Sequence, residues 1–412
     1  MAKFYDALEA RDQQEREAAQ FAALREVLGH AKATAPYWRE ALAQFDCDAV
    51  VTDRAALARL PVLRKSELPE RQERTPPFGG LATRPASGFR RVYLSPGPIA
   101  EPETDAPHWH FERALHAAGI GAEDVVANCF AYHMTPAGIM FDHACAGVGA
   151  TVFPAGIGNT DQQVEAIERL GITAYIGTPD FLRTILEKAD AKGVDTGAVK
   201  KALVTGGPLF PALRDWYAAR GIEVRQCYGT AELGLIAYET TPGDGLVTSE
   251  QAIVEIVRPG TGDPVAEGEV GEVVVTTFNP AYPLIRLATG DLSAIMPGQS
   301  PCGRTAPRLR GWMGRADQTT KVRGMFVHPA QVARTVKPYP EIGRARLVVR
   351  ETEGRDSLTL EVESAQQGDG LAQRLGEALR AECRLRGEVV FHPPGSLPND
   401  GKVIDDQRDI AV

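Results

Sequence analysis

The chain of 412 residues has no surplus of positive charge: 45 lysines and arginines stand against 54 aspartates and glutamates, a formal net charge of −9. A surface that holds a phosphate backbone recruits the opposite balance, so no nucleic-acid partner is expected. Long apolar runs are also missing. No stretch approaches the ~20 apolar residues that span a bilayer, and Met1 to Gln20 is charged and helix-prone without the apolar core of a signal peptide. The expectation is a cytoplasmic protein with no membrane partner. Cysteine is scarce and unpatterned: Cys47, Cys129, Cys145, Cys227, Cys302 and Cys383 show no C-x-x-C spacing and suit reduced, mostly buried thiols. His143 and Cys145, one residue apart, read as core residues rather than metal ligands.

What is present is an ordinary globular composition, 43% hydrophobic and 24% charged, on a chain long enough for more than one domain. Ala7 to Ala33 reads as a helical arm, with Phe21, Leu24, Val27 and Leu28 at helical spacing. Arg39 to Leu68 continues with short helices broken at Pro61, and Arg91 to Leu94 reads as the first strand of the working domain. From Asp124 to Cys227 strands alternate with helices of ~10 residues, which predicts βαβ units. The fold class is therefore α/β, with a mostly parallel sheet covered by helices. Between Leu246 and Met296 short extended runs and turns predict a β-rich, antiparallel subdomain. From Gly314 to the end the pattern changes to a small α+β unit, so the expected division is 1–313 and 314–412.

One stretch concentrates chemistry: Gln226-Cys227-Tyr228-Gly229-Thr230-Ala231-Glu232-Leu233-Gly234, a strand running into a polar turn. Within five positions it offers a ring to stack a base, a glycine that lets backbone approach a phosphate, a hydroxyl, and a carboxylate able to hold Mg2+. In parallel sheets ligands sit at the carboxyl ends of strands. Gly206-Gly207-Pro208, after the strand Lys201 to Val204, is then expected on the same crevice as Tyr228-Gly229-Thr230.

Three further stretches follow in order. They are Arg286-Leu287-Ala288-Thr289-Gly290-Asp291, Gly314-Arg315-Ala316-Asp317 with Lys321, Arg323 and Gly324, and Leu397-Pro398-Asn399-Asp400-Gly401-Lys402. Together with the first stretch they resemble the motifs of the acyl- and aryl-adenylate-forming ligases. Pro36-Tyr37-Trp38-Arg39-Glu40, Leu60-Pro61-Val62-Leu63, Gly158-Asn159-Thr160 with Gln163, Gly177-Thr178-Pro179 and Cys302-Gly303-Arg304-Thr305 extend the likeness towards the phenylacetate-CoA ligase branch and over most of the chain.

The resemblance implies two half-reactions: a carboxylate attacks the α-phosphate of ATP to give an acyl-adenylate and pyrophosphate, then coenzyme A displaces AMP. It implies that Lys402 bridges carboxylate and α-phosphate, that Glu232 with Thr230 serves the catalytic centre and Glu232 holds Mg2+, and that Tyr228 lies against adenine, with Gly229 among the nucleotide-binding residues. Asp291 would bind the ribose and Arg315 the ribose or phosphate, with Asp317 the hinge of a mobile C-terminal lid. Phe130, Tyr132, His133, Met134 and Gly138, after another strand end, are assigned to the acyl pocket. Ser95 and Gly97 belong to the phosphate loop, together with Gly206, Gly207 and Pro208 around the nucleotide. The partners implied are a small carboxylic acid, ATP (leaving as AMP) and coenzyme A, with a homodimer as the possible assembly.

The loop Ser95-Pro96-Gly97-Pro98-Ile99-Ala100-Glu101-Pro102 departs from this family. Two of its positions are prolines, which lack an N–H, the family's threonines are gone, and Glu101 stands where the family carries a lysine. As an exposed loop charge Glu101 would repel a polyphosphate. Two other readings therefore stay open: an adenylating enzyme that passes the acyl group to an acceptor other than coenzyme A, and a protein that binds an acyl-adenylate or an acid without turnover.

Overall fold

A computed structural model describes residues 3–45, 51–95, 98–104, 108–316, 318, 320–352, 355–398 and 402–408. It divides into two compact units, one built from Met1–Gly206 and Asp215–Trp312, the other from Gly207–Arg214 and Met313–Ala411.

In the first unit the alternation read from the sequence becomes a nine-stranded sheet among the described residues. Its parallel half runs Thr151–Phe153, Val125–Asn128, Ala174–Gly177, Lys201–Val204 and Glu223–Thr230. Strands such as Ala174–Gly177 are buried at every position, as expected where helices cover both faces. The helix Ala137–Val148 supplies Met140, Phe141 and Ala144 to the core beside Val126, Ile176 and Leu203. Its end at Gly149, in the left-handed region, returns the chain to the sheet. At Glu223–Thr230 the sheet changes sense, because Gly234–Glu239 folds back antiparallel to it. The strand that carries Tyr228, Gly229 and Thr230 is thus the seam between the two halves, and these residues stand at its carboxyl end, the end of the strands where parallel sheets place their ligands.

A four-stranded sheet, Leu63–Arg64, Leu287–Ser293, Gly271–Thr277 and Ala252–Val257, forms the β-rich part. It is antiparallel except that Leu63–Arg64 joins it parallel to Leu287–Ser293. The expected arm begins with a short 3-10 turn, Ala7–Ala10, and becomes the helix Gln13–Thr34, whose Phe21, Leu24 and Leu28 pack into one core with Ile253, Val273 and Leu287. Burying each such side chain contributes about 1.5–3 kcal/mol.

The second unit has its own core and a four-stranded sheet, Glu388–His392, Arg355–Ser364, Ile342–Thr352 and Ile404–Asp406. The helix Asp369–Cys383 places Leu371, Leu375, Leu379 and Cys383 on that core at three- to four-residue intervals.

Candidate active site

The turn after Tyr228 is tight, and two glycines make it so. A Cβ on Gly229 would stand 2.6 Å from the Gly234 carbonyl oxygen and 2.8 Å from the Phe111 ring. Gly234 has φ +73 and lies against the Trp109 backbone. The fold-back turns Glu232 inward, where its side chain is fully enclosed (0% exposed).

Enclosing a carboxylate requires a partner, and Lys65 provides it: Nζ lies 2.7 Å from Oε1 and donates to Oε2 at 3.1 Å. Burial would raise the Glu232 pKa, but the charge and hydrogen bond of Lys65, with help from the Thr230 hydroxyl, outweigh it and hold the carboxyl below its usual range. For Lys65, burial alone would lower the pKa. The Glu232 carboxylate, followed by Glu101 and Asp291, overcomes this and keeps the ammonium protonated above its usual range.

The loop expected to cradle phosphates is the bend of a hairpin, Arg91–Ser95 against Ile99–Glu103. Glu101 is therefore not an exposed loop charge. It sits on the second strand opposite Tyr93, is 3% exposed, and accepts a 2.5 Å hydrogen bond from the Ser95 hydroxyl on Oε1. Burial first, and then the charge of Glu232, push its pKa well above the carboxylate range, against Ser95 and Lys65. Gln72 fixes this strand by bonding both the N–H and the C=O of Ala100, at 2.7 and 2.9 Å. A cavity of about 400 Å³, mouth included, opens between the hairpin and the Glu232 turn, lined among others by Glu101, Glu103, His108, Trp109, Glu232 and Tyr282. The Oε2 of Glu101 has no hydrogen-bond partner there.

On the other side of the seam Tyr228 Oη donates to Asp291 Oδ2 at 2.7 Å, and Trp312 Nε1 donates to Oδ1 at 3.0 Å. Tyr228 Oη also lies 3.2 Å from Thr289 Oγ1, so ring and carboxylate are oriented by one network. Arg286, grouped in the sequence with Asp291, has a different task. It precedes the strand with φ +48, is 1% exposed, and binds Glu255 at 3.0 Å through two nitrogens. It also donates to the carbonyls of Ala58, Leu60 and Gly262.

The structure brings Thr230, Glu232, Tyr228, Gly229, Ser95 and Asp291 into the first unit, together with Gly206. Gly207 and Pro208 group with the second unit, as do Arg315 and Lys402. Lys402 is 53% exposed and donates to Asp405 at 2.9 Å. Gly97 and Asp317 lie outside the described residues. The five residues assigned to an acyl pocket do not line the cavity. Tyr132 is bonded to Asn128 and Asp142, Phe130 stacks on Phe141, Met134 and His133 are exposed, and Gly138 is packed against the Ala131 carbonyl.

Among the described residues no group of three acidic, histidine or cysteine side chains forms a metal cage. Glu232 and Thr230 nonetheless fit a Mg2+ that arrives on ATP, since that ion commonly takes one or two protein carboxylates and fills its remaining positions with phosphate and water. The fit requires Lys65 to yield the carboxylate. Sequence reasoning missed Lys65, Trp312 and Tyr282. Lys65 stands two residues after the noted Leu60-Pro61-Val62-Leu63, and Trp312 stands two residues before Gly314.

A family model described as AMP-binding enzyme matches residues 121–281. The chain is 29% identical to a phenylacetate-coenzyme A ligase of Aromatoleum evansii, over 95% of this chain and 93% of the relative. It is 27% identical to the phenylacetate-coenzyme A ligase of Escherichia coli (strain K12), over 98% of each. Among solved structures, 2-hydroxyisobutyryl-CoA ligase in complex with 2-HIB-AMP and CoA superimposes with a TM-score of 0.81 at 24% identity, covering 99% of this chain and 93% of that one. An open conformation of the same enzyme gives 0.73 at 25% identity, covering 98% and 95%.

Proposed function

We propose that the chain is an AMP-binding, acyl-adenylate-forming ligase that activates an aromatic or aryl-acetic acid with ATP and transfers it to coenzyme A, releasing AMP, a reading supported by its likeness to the AMP-binding enzyme family and to phenylacetate-coenzyme A ligases. The observation that carries the reading is the seam strand: its end holds a ring oriented by Asp291 on one side and an enclosed carboxylate paired with an ammonium on the other.

On this reading Tyr228 lies along the adenine and Asp291, whose carboxylate is oriented by Tyr228 and Trp312, accepts from the ribose hydroxyls. Glu232 and Thr230 would hold the Mg2+ carried by ATP, which when bound neutralises phosphate charge. The attack of one anion on another also needs a cation at the reacting atoms, and Lys402 is the residue assigned to it, holding carboxylate and α-phosphate together. Arg315 assists at ribose or phosphate. The cytoplasm, where ATP and coenzyme A are supplied, is the expected place of action. The aryl side chain is assigned, from the sequence alone, to the region of Phe130 and Tyr132, which do not line the cavity beside Glu101 and Glu232.

A panel of aryl, aryl-acetic and short aliphatic acids, incubated with MgATP and coenzyme A and read by thioester mass, tests the proposal. An aromatic acid is expected to give a thioester and AMP. Product formation without coenzyme A, on an amine or a carrier thiol, would redirect the reading to another acceptor.

A further inference from the structure

Lys65 occupies a place that the two half-reactions leave without a role. It opens the 3-10 turn Lys65–Glu67 directly after Leu63–Arg64, and the parallel pairing of Arg64 with Ala288 sets it beside the strand Leu287–Ser293, which carries Asp291. Its ammonium is paired with the Glu232 carboxylate at 2.7 Å. The neighbouring cation, Arg64, is directed instead to Glu272 at 3.5 Å.

Accessibility separates the two members of the pair. The Lys65 side chain is 28% exposed while that of Glu232 is 0% exposed, so solvent reaches part of the lysine side chain and none of the carboxylate's. The hairpin cannot provide a cation here, because its lysine position holds Glu101, which is turned into the protein and bonded to Ser95. Arg90 and Arg91 of the hairpin are paired with Glu103, and the cation paired with Glu232 is Lys65.

We propose that Lys65 is a phosphate-binding residue: it gives up the Glu232 carboxylate when MgATP binds and moves its ammonium onto the terminal phosphates, replacing the cation that the hairpin lacks. The exchange conserves pairing. An ammonium that leaves a carboxylate for a phosphate keeps a charge-assisted hydrogen bond, and Glu232 is released for the ion that arrives on the nucleotide. No covalent step is involved. The proposal rests on the ligase reading and adds to it the group that recognises the β- and γ-phosphates.

Calorimetry with MgATP and with AMP, which lacks those phosphates, tests it on wild type, Lys65→Met and Lys65→Arg. Lys65→Met is expected to weaken MgATP by about tenfold or more, the size of one hydrogen bond to a charged group, and to change AMP affinity by less than about twofold. Lys65→Arg should restore most of the MgATP affinity, and the salt dependence of MgATP binding should be shallower in Lys65→Met than in wild type. Equal weakening of both ligands, or unchanged MgATP binding, would make the pair structural only and overturn the proposal. Lys65→Met leaves Glu232 enclosed without its partner. Should that variant not fold, wild type gives the same answer by reductive methylation: MgATP should shield Lys65 where AMP does not, and equal labelling with both would overturn it. Wild type that binds neither nucleotide would overturn the ligase reading as well, an outcome distinct from wild type that binds both and a variant that changes neither.

Discussion

Tyr228 Oη and Asp291 Oδ2 are joined by a 2.7 Å hydrogen bond across 63 residues of sequence. The bond ties the seam strand of the large sheet to the end of the β-rich sheet, so the group expected against adenine and the group expected at the ribose are positioned by each other. A hydrogen bond to a charged group is worth about 1.5–3 kcal/mol. Tyr228→Phe keeps the ring and removes the bond. It should raise the KM for ATP by up to about tenfold with little change in kcat, measured by steady-state pyrophosphate release. Asp291→Ala should be more severe, since it removes the ribose acceptor together with the acceptor for Trp312.

Lys402→Ala tests the assignment at the reacting atoms. The charge is needed while carboxylate and α-phosphate meet, so adenylation should fall by a factor on the order of 100 or more, at ~1.4 kcal/mol per tenfold. Thioester formation from supplied acyl-adenylate should fall far less. Equal losses in both half-reactions would remove Lys402 from the adenylation step.

Glu101 makes a prediction about stability. Its folded pKa lies above the unfolded value because of burial and the charge of Glu232, so its contribution is fully present below the unfolded pKa, near 4.5, and is lost as pH rises through the folded value. Glu101→Gln keeps the shape without the ionisation. Its melting temperature should match wild type in acid and exceed it increasingly as pH is raised above 4.5. A gap that shrinks with pH would contradict the burial of this carboxyl. Glu101→Lys, which an exposed loop position would welcome, should instead lower the melting temperature, because it brings a second ammonium into an enclosed site beside Lys65.

Arg286 anchors the junction between the chain after Leu57 and the β-rich sheet. Removing one partner of a buried ion pair costs about 3–5 kcal/mol. Arg286→Met should therefore lower stability by that order in denaturant titration, and Arg286→Lys should recover little, because a lysine cannot satisfy Glu255 and three carbonyls at once.

Much of this was legible in the sequence where the signal is local. The βαβ alternation appears as apolar runs separated by helical spacing, and Tyr228, Thr230 and Glu232 announce themselves as a ring, a hydroxyl and a carboxylate around a glycine. What was not legible depends on pairing across the chain. Lys65 and Glu232 are 167 residues apart, and no local pattern in either stretch signals the other. The burial of Glu101 follows from hairpin register: Tyr93 and Ser95 point inward between the exposed Val92 and Leu94, and Glu101 pairs with Tyr93 on that side. A strand reading Ile-Ala-Glu-Pro-Glu offers no apolar alternation to reveal this. Arg286 was expected within a strand; its carbonyl-capping role requires the positive φ that interrupts extended structure just before Leu287.

The central claim, that an acyl-adenylate forms in this site, is tested most directly by acid-dependent exchange of labelled pyrophosphate into ATP in the absence of coenzyme A. The account predicts exchange with at least one aromatic or aryl-acetic acid, abolished in Lys402→Ala and dependent on Mg2+. Release of ADP and phosphate in place of exchange, or no exchange with any acid while thioester still forms, would contradict it.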